Sequence, residues 1–293
     1  MMVATFDHVV RLADGRRLGY AEFGDPAGKA VVLVHGCPDS RVIGRLGASA
    51  ATRQGVRLIA PDRPGFGLSD PKPGRSILDW PEDLAEFADT LSLDHFPVVG
   101  LSAGCAFAAA CAWKLPERIS ALGICCGIGP LDRSGMTNEM QPAVRLTYRL
   151  ARQAPWLLRM LVQLLAHEAR KAPQRAGQWM LATRPEIDRV VMQRPEIYQV
   201  LLDNFPEQFR DPATIVHEFQ LGVRPWGFPL EEIVISTWLW QGLADTVHPP
   251  AMGRYMAATI PGCRASFLAG AGGAWFIDHF DTVLAAVTTP PTI

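Results

Sequence analysis

The stretch FPVVGLSAGCAFAAACAWKL at residues 96–115 decides the fold of this chain. Its first residues form a continuous apolar run typical of a buried strand, and the small apolar residues that follow favour a packed helix. The two meet at Gly100-Leu101-Ser102-Ala103-Gly104, a G-x-S-x-G sequence at a strand-to-helix turn. A sharp turn of this kind strains the central residue, and glycines two positions to either side let the strand and the helix approach each other. The pattern predicts an exposed serine nucleophile at Ser102, above a helix N-terminus that favours negative charge.

Strands and helices alternate on both sides of this turn. The predicted strands are 8–12, 17–23, 30–36, 56–61, 96–102, 119–126, 233–242 and 263–269, and the predicted helices are 41–54, about 81–92, 103–114, 249–259 and 275–287. The first two strands flank Asp14-Gly15, a sequence typical of a hairpin turn. Strands that alternate with helices indicate an α/β fold with a mostly parallel central sheet flanked by helices.

This alternation stops at Gly129-Pro130 and resumes near residue 229. Between them the pattern is helical, is interrupted by prolines and is rich in Trp, Met, Leu and Arg. We therefore expect two parts: a core of residues 1–130 and 229–293, and a helical cap of residues 131–228 inserted after the sixth strand, above the carboxyl edge of the sheet.

Composition excludes several classes of protein. The 293 residues include 28 Lys and Arg against 29 Asp and Glu, for a net charge of -1, so we expect neither nucleic acid nor a membrane as a partner. With 48% hydrophobic residues a disordered chain is excluded too. The N-terminal residues resemble no signal peptide, which favours a cytoplasmic protein. The six cysteines lie mostly in apolar runs and are expected to be free thiols.

Four motifs follow successive predicted strands in a fixed order. They are His35-Gly36-Cys37-Pro38, the stretch from Pro61 to Ser69 (PDRPGFGLS), the G-x-S-x-G turn, and Gln241-Gly242-Leu243-Ala244-Asp245. In these motifs and their order the whole chain resembles the α/β-hydrolase family, which includes esterases, epoxide hydrolases, peptidases and dehalogenases. The resemblance implies the α/β-hydrolase fold with a cap.

The resemblance also implies roles for residues. The backbone N–H groups of Cys37 and Ala103 correspond to the oxyanion hole, which stabilises the negative charge of an acyl-transfer intermediate. Asp245 corresponds to the acid that orients a catalytic histidine, and Asp132 after the sixth strand is the alternative position. His35 and Trp226 are candidates for contact with substrate, although His35 also fits a structural role in its loop.

The expected catalytic histidine is absent. The family typically has Gly-x-Gly-His after the eighth strand, whereas this chain has Gly270-Ala271-Gly272-Gly273-Ala274. Gly273 occupies the histidine position without a gap, and Ala274 does so if the loop has one extra residue. The other histidines considered as a base are His279, on the final helix, His248, close to Asp245, and the cap residues His167 and His217.

These observations predict a serine hydrolase for an ester, lactone or thioester of a medium-sized apolar molecule, in a form that lacks its histidine. Large apolar side chains of the cap suggest the apolar substrate, namely Trp156, Leu157, Met160, Leu161, Trp179, Met180, Phe205, Phe209, Trp226 and Phe228. Two alternatives stay open: a lyase, isomerase or cyclase of the same fold that needs no triad, and a non-catalytic protein that binds small molecules. Neither a cofactor nor a metal is expected, since no metal-ligand spacing or dinucleotide motif occurs. The oligomeric state stays open, with a homodimer as one alternative.

Overall fold

A single eight-stranded sheet forms the centre of the computed structural model, which describes residues 6–289. Its strands are β1 (Phe6–Arg11), β2 (Arg17–Gly24), β3 (Lys29–Val34), β4 (Val56–Pro61), β5 (Phe96–Leu101), β6 (Ile119–Cys125), β7 (Thr237–Gly242) and β8 (Arg264–Leu268). Across the sheet the order is β1-β2-β4-β3-β5-β6-β7-β8. β2 pairs antiparallel with β1 and β4, and the other pairs are parallel. The predicted hairpin and mostly parallel sheet are confirmed.

Helices cover both faces of this sheet. They are α1 (Ala48–Arg53), α2 (Trp80–Thr90), α3 (Gly104–Lys114), α4 (Pro142–Gln153), α5 (Pro155–Lys171), α6 (Pro173–Ala182), α7 (Glu186–Met192), α8 (Pro195–Gln208), α9 (Pro212–Gly222), α10 (Pro250–Thr259) and α11 (Phe280–Thr288). α2, α3 and α10 bury their apolar residues on one face, and α1 and α11 bury theirs on the other. None of the helices described is both long enough and apolar enough to cross a bilayer.

Helices α4 to α9 lie between β6 and β7, and all of them except α7 contribute to a shared buried cluster, which includes Leu158, Val162, Phe205 and Ile215. Most of these helices begin with a proline in the first turn, where the missing N–H leaves no helix hydrogen bond unmade. Most prolines that interrupt the helical pattern in the sequence are therefore helix starts, whereas Pro206 lies inside α8.

Three predicted boundaries differ from the structure. The strand predicted from residue 233 begins at Thr237, because Val234 lies outside the sheet with 78% of its surface exposed. The predicted helix over 41–54 is a 3-10 helix at Arg41–Gly47 followed by α1. The predicted final helix is divided, since His279 has a non-helical φ of -126° between a 3-10 turn and α11.

The cysteines match the prediction of free thiols. Cys105, Cys111, Cys125 and Cys126 are buried. Burial raises the pKa of each of these thiols, so they act as small apolar side chains.

Candidate active site

Ser102 lies at the turn between β5 and α3 with a left-handed φ of 55°. Its N–H donates to the Cys125 carbonyl at 3.0 Å, which fixes the turn against β6. A Cβ atom on Gly104 would lie 2.3 Å from the Val34 carbonyl oxygen, and one on Gly100 would lie 2.6 Å from Cys105 Cα. The flanking glycines are therefore required by close backbone contacts, as the G-x-S-x-G pattern predicts.

Two cavities meet at Ser102. The smaller, which we call the inner cavity, measures about 100 Å³. Its walls include Ser102, Cys37, Asp39, Arg184, Asp188, Asp245, His248 and Gly273. The larger, which we call the cap channel, measures about 420 Å³ and is lined mainly by apolar side chains of α4, α5, α6, α8 and α9. The nucleophile candidate thus borders a small cavity of mixed charged and apolar lining and a larger, mainly apolar channel.

Asp245 lies in the loop after β7 with 2% of its surface exposed. Its Oδ1 accepts hydrogen bonds from the amides of Val247 at 2.8 Å and His248 at 2.9 Å. Its Oδ2 has no partner among the described residues, although it is buried. Burial raises the pKa of Asp245 to about 7, and the two amide donors only partly offset this effect.

Position 273 faces this carboxylate. A Cβ atom built on Gly273 lies 3.0 Å from Asp245 Oδ2. Ala274 also borders the inner cavity, but it is 6% exposed and belongs to the apolar cluster beside α11. Of the two positions left open by the sequence, the geometry therefore favours Gly273 as the one from which a side chain would meet Asp245.

Of the four histidines that the sequence offers as a base, one lines the cavities at Ser102 and three lie outside them. His248 lines both cavities, and burial, together with the charge of Arg184, lowers its pKa to about 3, so its ring is neutral. His279 stacks on Trp275 and bonds the Trp275 carbonyl at 2.9 Å. His217 bonds the Arg75 carbonyl at 2.8 Å, outside both cavities. His167 is exposed on α5.

Three further predicted residues lie elsewhere. His35 is fully buried, with Nδ1 bonded to the Gly36 carbonyl and Nε2 accepting from the Arg63 amide, both at 2.9 Å. It holds its loop and lines neither cavity. Trp226 stacks on Phe228 and packs among apolar neighbours of the core. It lines neither of the two cavities at Ser102. Asp132 is exposed and shares a separate surface groove with Trp226.

Three charged residues of the inner cavity belong to no motif in the sequence. Asp188 on α7 accepts from the amides of Gly273 at 3.0 Å and Ala274 at 2.9 Å. Asp39 accepts from the Ser40 amide, and burial raises its pKa to about 7. Arg184, between α6 and α7, has a buried Nε without a partner in the described part of the chain. Within residues 6–289 no group of three or more His, Cys, Asp or Glu side chains is arranged to hold a metal.

A buried ion cluster joins helix α9 to the Cys37 loop. Glu218 accepts from both Arg63 and Arg75, and all three side chains are almost completely buried. Arg63 also donates to the Gly36 carbonyl at 2.7 Å and lies over the Phe107 ring at 4.2 Å. Through Arg63, Glu218 of α9 therefore helps to fix the Gly36 carbonyl, which directly precedes the Cys37 amide.

Comparisons with known proteins agree with this architecture. The α/β hydrolase fold family matches residues 29–279, and the chain belongs to this family. A 2-hydroxymuconate semialdehyde hydrolase of Pseudomonas putida is 32% identical over 160 residues, which are 54% of each chain. The uncharacterized hydrolase YNR064C of Saccharomyces cerevisiae is 26% identical over 57% of each chain, so the matches span little more than half of these relatives.

Solved structures are similar over nearly the whole chain. The enol-lactonase from Burkholderia xenovorans LB400 has a TM-score of 0.70 at 20% identity and covers 96% of this chain and 99% of its own. An esterase from Thermogutta terrifontis has a TM-score of 0.67 at 24% identity, with 98% and 100% covered. At these identities the likeness concerns the fold.

Proposed function

We propose that this chain is a serine hydrolase for an ester, lactone or thioester of a medium-sized apolar molecule. Ser102 is the nucleophile, Asp245 is the acid of the triad, and the amides of Cys37 and Ala103 form the oxyanion hole. Gly273 stands at the position of the base, so this chain turns over its substrate slowly. The observation that carries this proposal is the strained turn at Ser102 with the Gly273 position directed at Asp245 Oδ2.

The cap channel supports an apolar substrate. Its walls include Leu158, Val162, Phe205, Phe209 and Ile215, and it reaches Ser102. An acyl chain or hydrophobic ring in the channel would bring its carbonyl carbon next to the serine. Two of the similar structures are named as an enol-lactonase and an esterase, and both names agree with a lactone or ester as substrate.

The absence of a base has a predictable cost. Without a proton acceptor Ser102 stays a neutral alcohol, and positioned general bases accelerate such steps by about 10²–10⁴. His248 is a poor substitute, because its pKa of about 3 leaves it with little affinity for the serine proton.

Restoring the base tests the proposal. We expect Gly273→His to increase labelling of Ser102 by a fluorophosphonate probe and hydrolysis of p-nitrophenyl butyrate by at least about 10²-fold. The matched control is Ala274→His, which we expect to stay inactive because its side chain would enter the apolar core. Ser102→Ala in the Gly273→His background must abolish both signals. If Gly273→His folds and remains inert, the proposal is wrong.

The second candidate is an enzyme of this fold that needs no triad, and the glycine at position 273 favours it. It would turn over its substrate at a normal rate with Gly273 in place, and Ser102→Ala would leave that rate unchanged. A chain that binds small apolar molecules without turnover in any variant would instead be a binding protein.

A further inference from the structure

We propose that the inner cavity is a binding site for a compact nitrogen base of the imidazole class, held by Asp245. This inference deepens the proposed function, since the bound base would stand between the acid and the nucleophile.

The first argument is the unpartnered oxygen of Asp245. Oδ2 is buried, has no hydrogen-bond partner among the described residues, and faces the position where a Gly273 side chain would begin. A buried carboxylate oxygen without a donor is costly, and an N–H donor placed there relieves this cost. The base binds in its neutral form, and once it has taken up the serine proton, the ion pair with Asp245 stabilises it.

The second argument is the size and the charge of the cavity. About 100 Å³ is somewhat less than the roughly 150 Å³ that accommodates benzene in an engineered protein cavity, so a five-membered ring is the appropriate class of ligand. Asp39, Asp188 and Asp245 line the cavity against one cation, Arg184. Asp188 already uses both of its oxygens as acceptors, whereas both amide donors of Asp245 bind Oδ1. Among the three acids, Asp245 Oδ2 is the buried oxygen that lacks a partner in the described part of the chain.

The chemistry balances without any further reactant. As Ser102 Oγ forms its bond to the ester carbonyl carbon, the serine proton moves to the free nitrogen of the base. The base then returns this proton to the departing alkoxide as the ester bond breaks. In the second half a water molecule gives its proton to the same nitrogen and attacks the acyl group, and the released serine recovers the proton.

Imidazole is the probe that tests this site. Titration calorimetry should detect one saturable site on the native chain, weakened at least about tenfold by Asp245→Asn and by Gly273→Leu, which fills the cavity. Asp94→Asn, an exposed aspartate far from the cavity, is the matched control and should bind normally. Pyrrole, a ring of the same size that does not accept a proton, should not accelerate hydrolysis.

Imidazole should also accelerate p-nitrophenyl butyrate hydrolysis by the native chain at least about tenfold, with the same half-saturation as binding. Gly273→His should show no such response, because its own ring occupies the cavity. If Gly273→His is active but imidazole neither binds nor accelerates hydrolysis, this inference fails and the proposed function stands. If imidazole binds but no variant is active, the site stands and the proposed function fails.

A different surface supports a second inference. We propose that the exposed face of α5 docks on an anionic lipid bilayer. The expectation of no membrane partner rested on the net charge of the whole chain, which hides an uneven distribution. Residues 142–182 hold seven of the 28 Lys and Arg residues but one of the 29 Asp and Glu residues, so their net charge is +6 and that of the rest is -7.

The charge accompanies an apolar stripe. Trp156, Met160 and Leu164 occupy successive turns of α5 and are 66%, 58% and 59% exposed. Arg159, Arg170 and Lys171 are exposed on the same helix, and no carboxylate of residues 6–289 forms an ion pair with them. Trp and Leu beside unpaired Lys and Arg are typical of helices that lie in a membrane interface.

The stripe also continues into the cap channel. Leu146, Leu161 and Trp179 are about half exposed and line the channel that reaches Ser102. An apolar molecule leaving the bilayer at this point would enter the channel without crossing water. This continuity favours a lipid surface over a soluble polyanion, which would need the basic residues but not the apolar stripe.

Flotation with vesicles tests this docking. We expect binding to phosphatidylcholine vesicles with about 30% phosphatidylglycerol and at least tenfold weaker binding to pure phosphatidylcholine. Trp156→Ser with Leu164→Gln, and separately Arg159→Glu with Arg170→Glu, should each reduce the partition at least about tenfold. Two control substitutions should leave the partition unchanged. Val234→Gln changes another exposed apolar residue, and Lys29→Glu changes an exposed basic residue at the opposite edge of the sheet.

Equal binding by the native chain and both double variants overturns the inference. So does a stable dimer in light scattering that Trp156→Ser with Leu164→Gln dissociates, because the stripe would then contact a second copy. Binding to heparin without binding to anionic vesicles would identify a soluble polyanion instead.

Discussion

Replacing Glu218 by glutamine removes the carboxylate that two buried guanidinium groups share. Arg63 and Arg75 both donate to Glu218, and Arg75 Nη1 already has no partner among the described residues. Glutamine keeps the size of the side chain and one acceptor oxygen but loses the charge. Two cations would then remain in a site that almost no water reaches.

Two independent estimates give the size of the effect. Breaking a buried ion pair by removing one partner costs about 3–5 kcal/mol. Burial raises the pKa of Glu218, but the charges of Arg63 and Arg75 outweigh this effect and bring it to about 2 from an ordinary value of 4.5. At 1.36 kcal/mol per pKa unit this corresponds to about 3 kcal/mol of stability at neutral pH. We therefore expect Glu218→Gln to lower the free energy of unfolding by about 3–5 kcal/mol at pH 7.

Urea unfolding followed by tryptophan fluorescence measures this loss. Because the pKa of Glu218 is lower in the folded state, its contribution is complete above its unfolded pKa of about 4.5 and disappears as the pH falls towards about 2. The difference between native and variant should thus be constant from about pH 5 to 8 and should narrow below pH 4.5. Glu196→Gln, an exposed residue of α8, should cost less than about 0.5 kcal/mol. A loss below about 1 kcal/mol at pH 7, or one unchanged at pH 3, would refute the reasoning.

Three further predictions concern the site itself. Gly104→Ala should destabilise the protein by at least about 3 kcal/mol in urea unfolding, because the new Cβ would lie 2.3 Å from the Val34 carbonyl oxygen. Asp245→Asn should raise the melting temperature at pH 8 but not at pH 4. The pKa of about 7 means that the folded chain holds the Asp245 proton more tightly than the unfolded chain, so its ionisation destabilises the native protein as the pH rises between these values. Asp188→Ala should cost roughly 3 kcal/mol in unfolding, since it leaves the part-buried amide of Gly273 and the buried amide of Ala274 without an acceptor.

Each of these has a direct counter-test. Gly135→Ala meets nothing closer than 3.9 Å and should cost only the backbone strain of its φ of 85°, about 1 kcal/mol. If it costs as much as Gly104→Ala, steric contact at the elbow is not the cause. If the difference in melting temperature between Asp245→Asn and the native chain is the same at pH 4 and pH 8, the raised pKa of Asp245 is contradicted. Unchanged stability of Asp188→Ala would mean that water satisfies the two amides.

The sequence predicts those parts of the site that depend on neighbouring residues. Ser102 is recognisable because strand, turn and helix follow one another in the chain, and the close contacts of Gly100 and Gly104 lie within the same motif or against an adjacent strand. The choice between Gly273 and Ala274 depends on whether the loop has one extra residue, and a sequence pattern does not determine this. Making the choice requires the position in space of Asp245, which lies 28 residues earlier in the chain.

Arg184, Asp188 and Glu218 illustrate a second limit of prediction from sequence. Each lies on or beside a helix of the inserted segment, where a charged residue is ordinarily exposed and carries no signal. Asp188 and Glu218 are buried here and Arg184 is half-buried, because the segment folds back on the core, so their roles depend on tertiary packing. Trp226 illustrates the reverse, since a large aromatic residue fits a core as well as a binding site, and the structure puts it in the core.

The buried carboxylate of Asp245 connects stability and chemistry in this site. An ionised acid with one unpartnered oxygen is unfavourable, and the protein nevertheless buries it, holds Oδ1 with two amides and directs Oδ2 at position 273. The strain at Ser102 and the close approach of β3, β5 and α3 do not depend on a base either. Under the proposed function, nucleophile, acid and loop are thus preorganised by the fold. A serine protease without its triad still accelerates its reaction by about 10³–10⁴ through oxyanion stabilisation and binding alone. On that proposal a single imidazole, whether on the chain or bound beside it, is the group that would complete the arrangement.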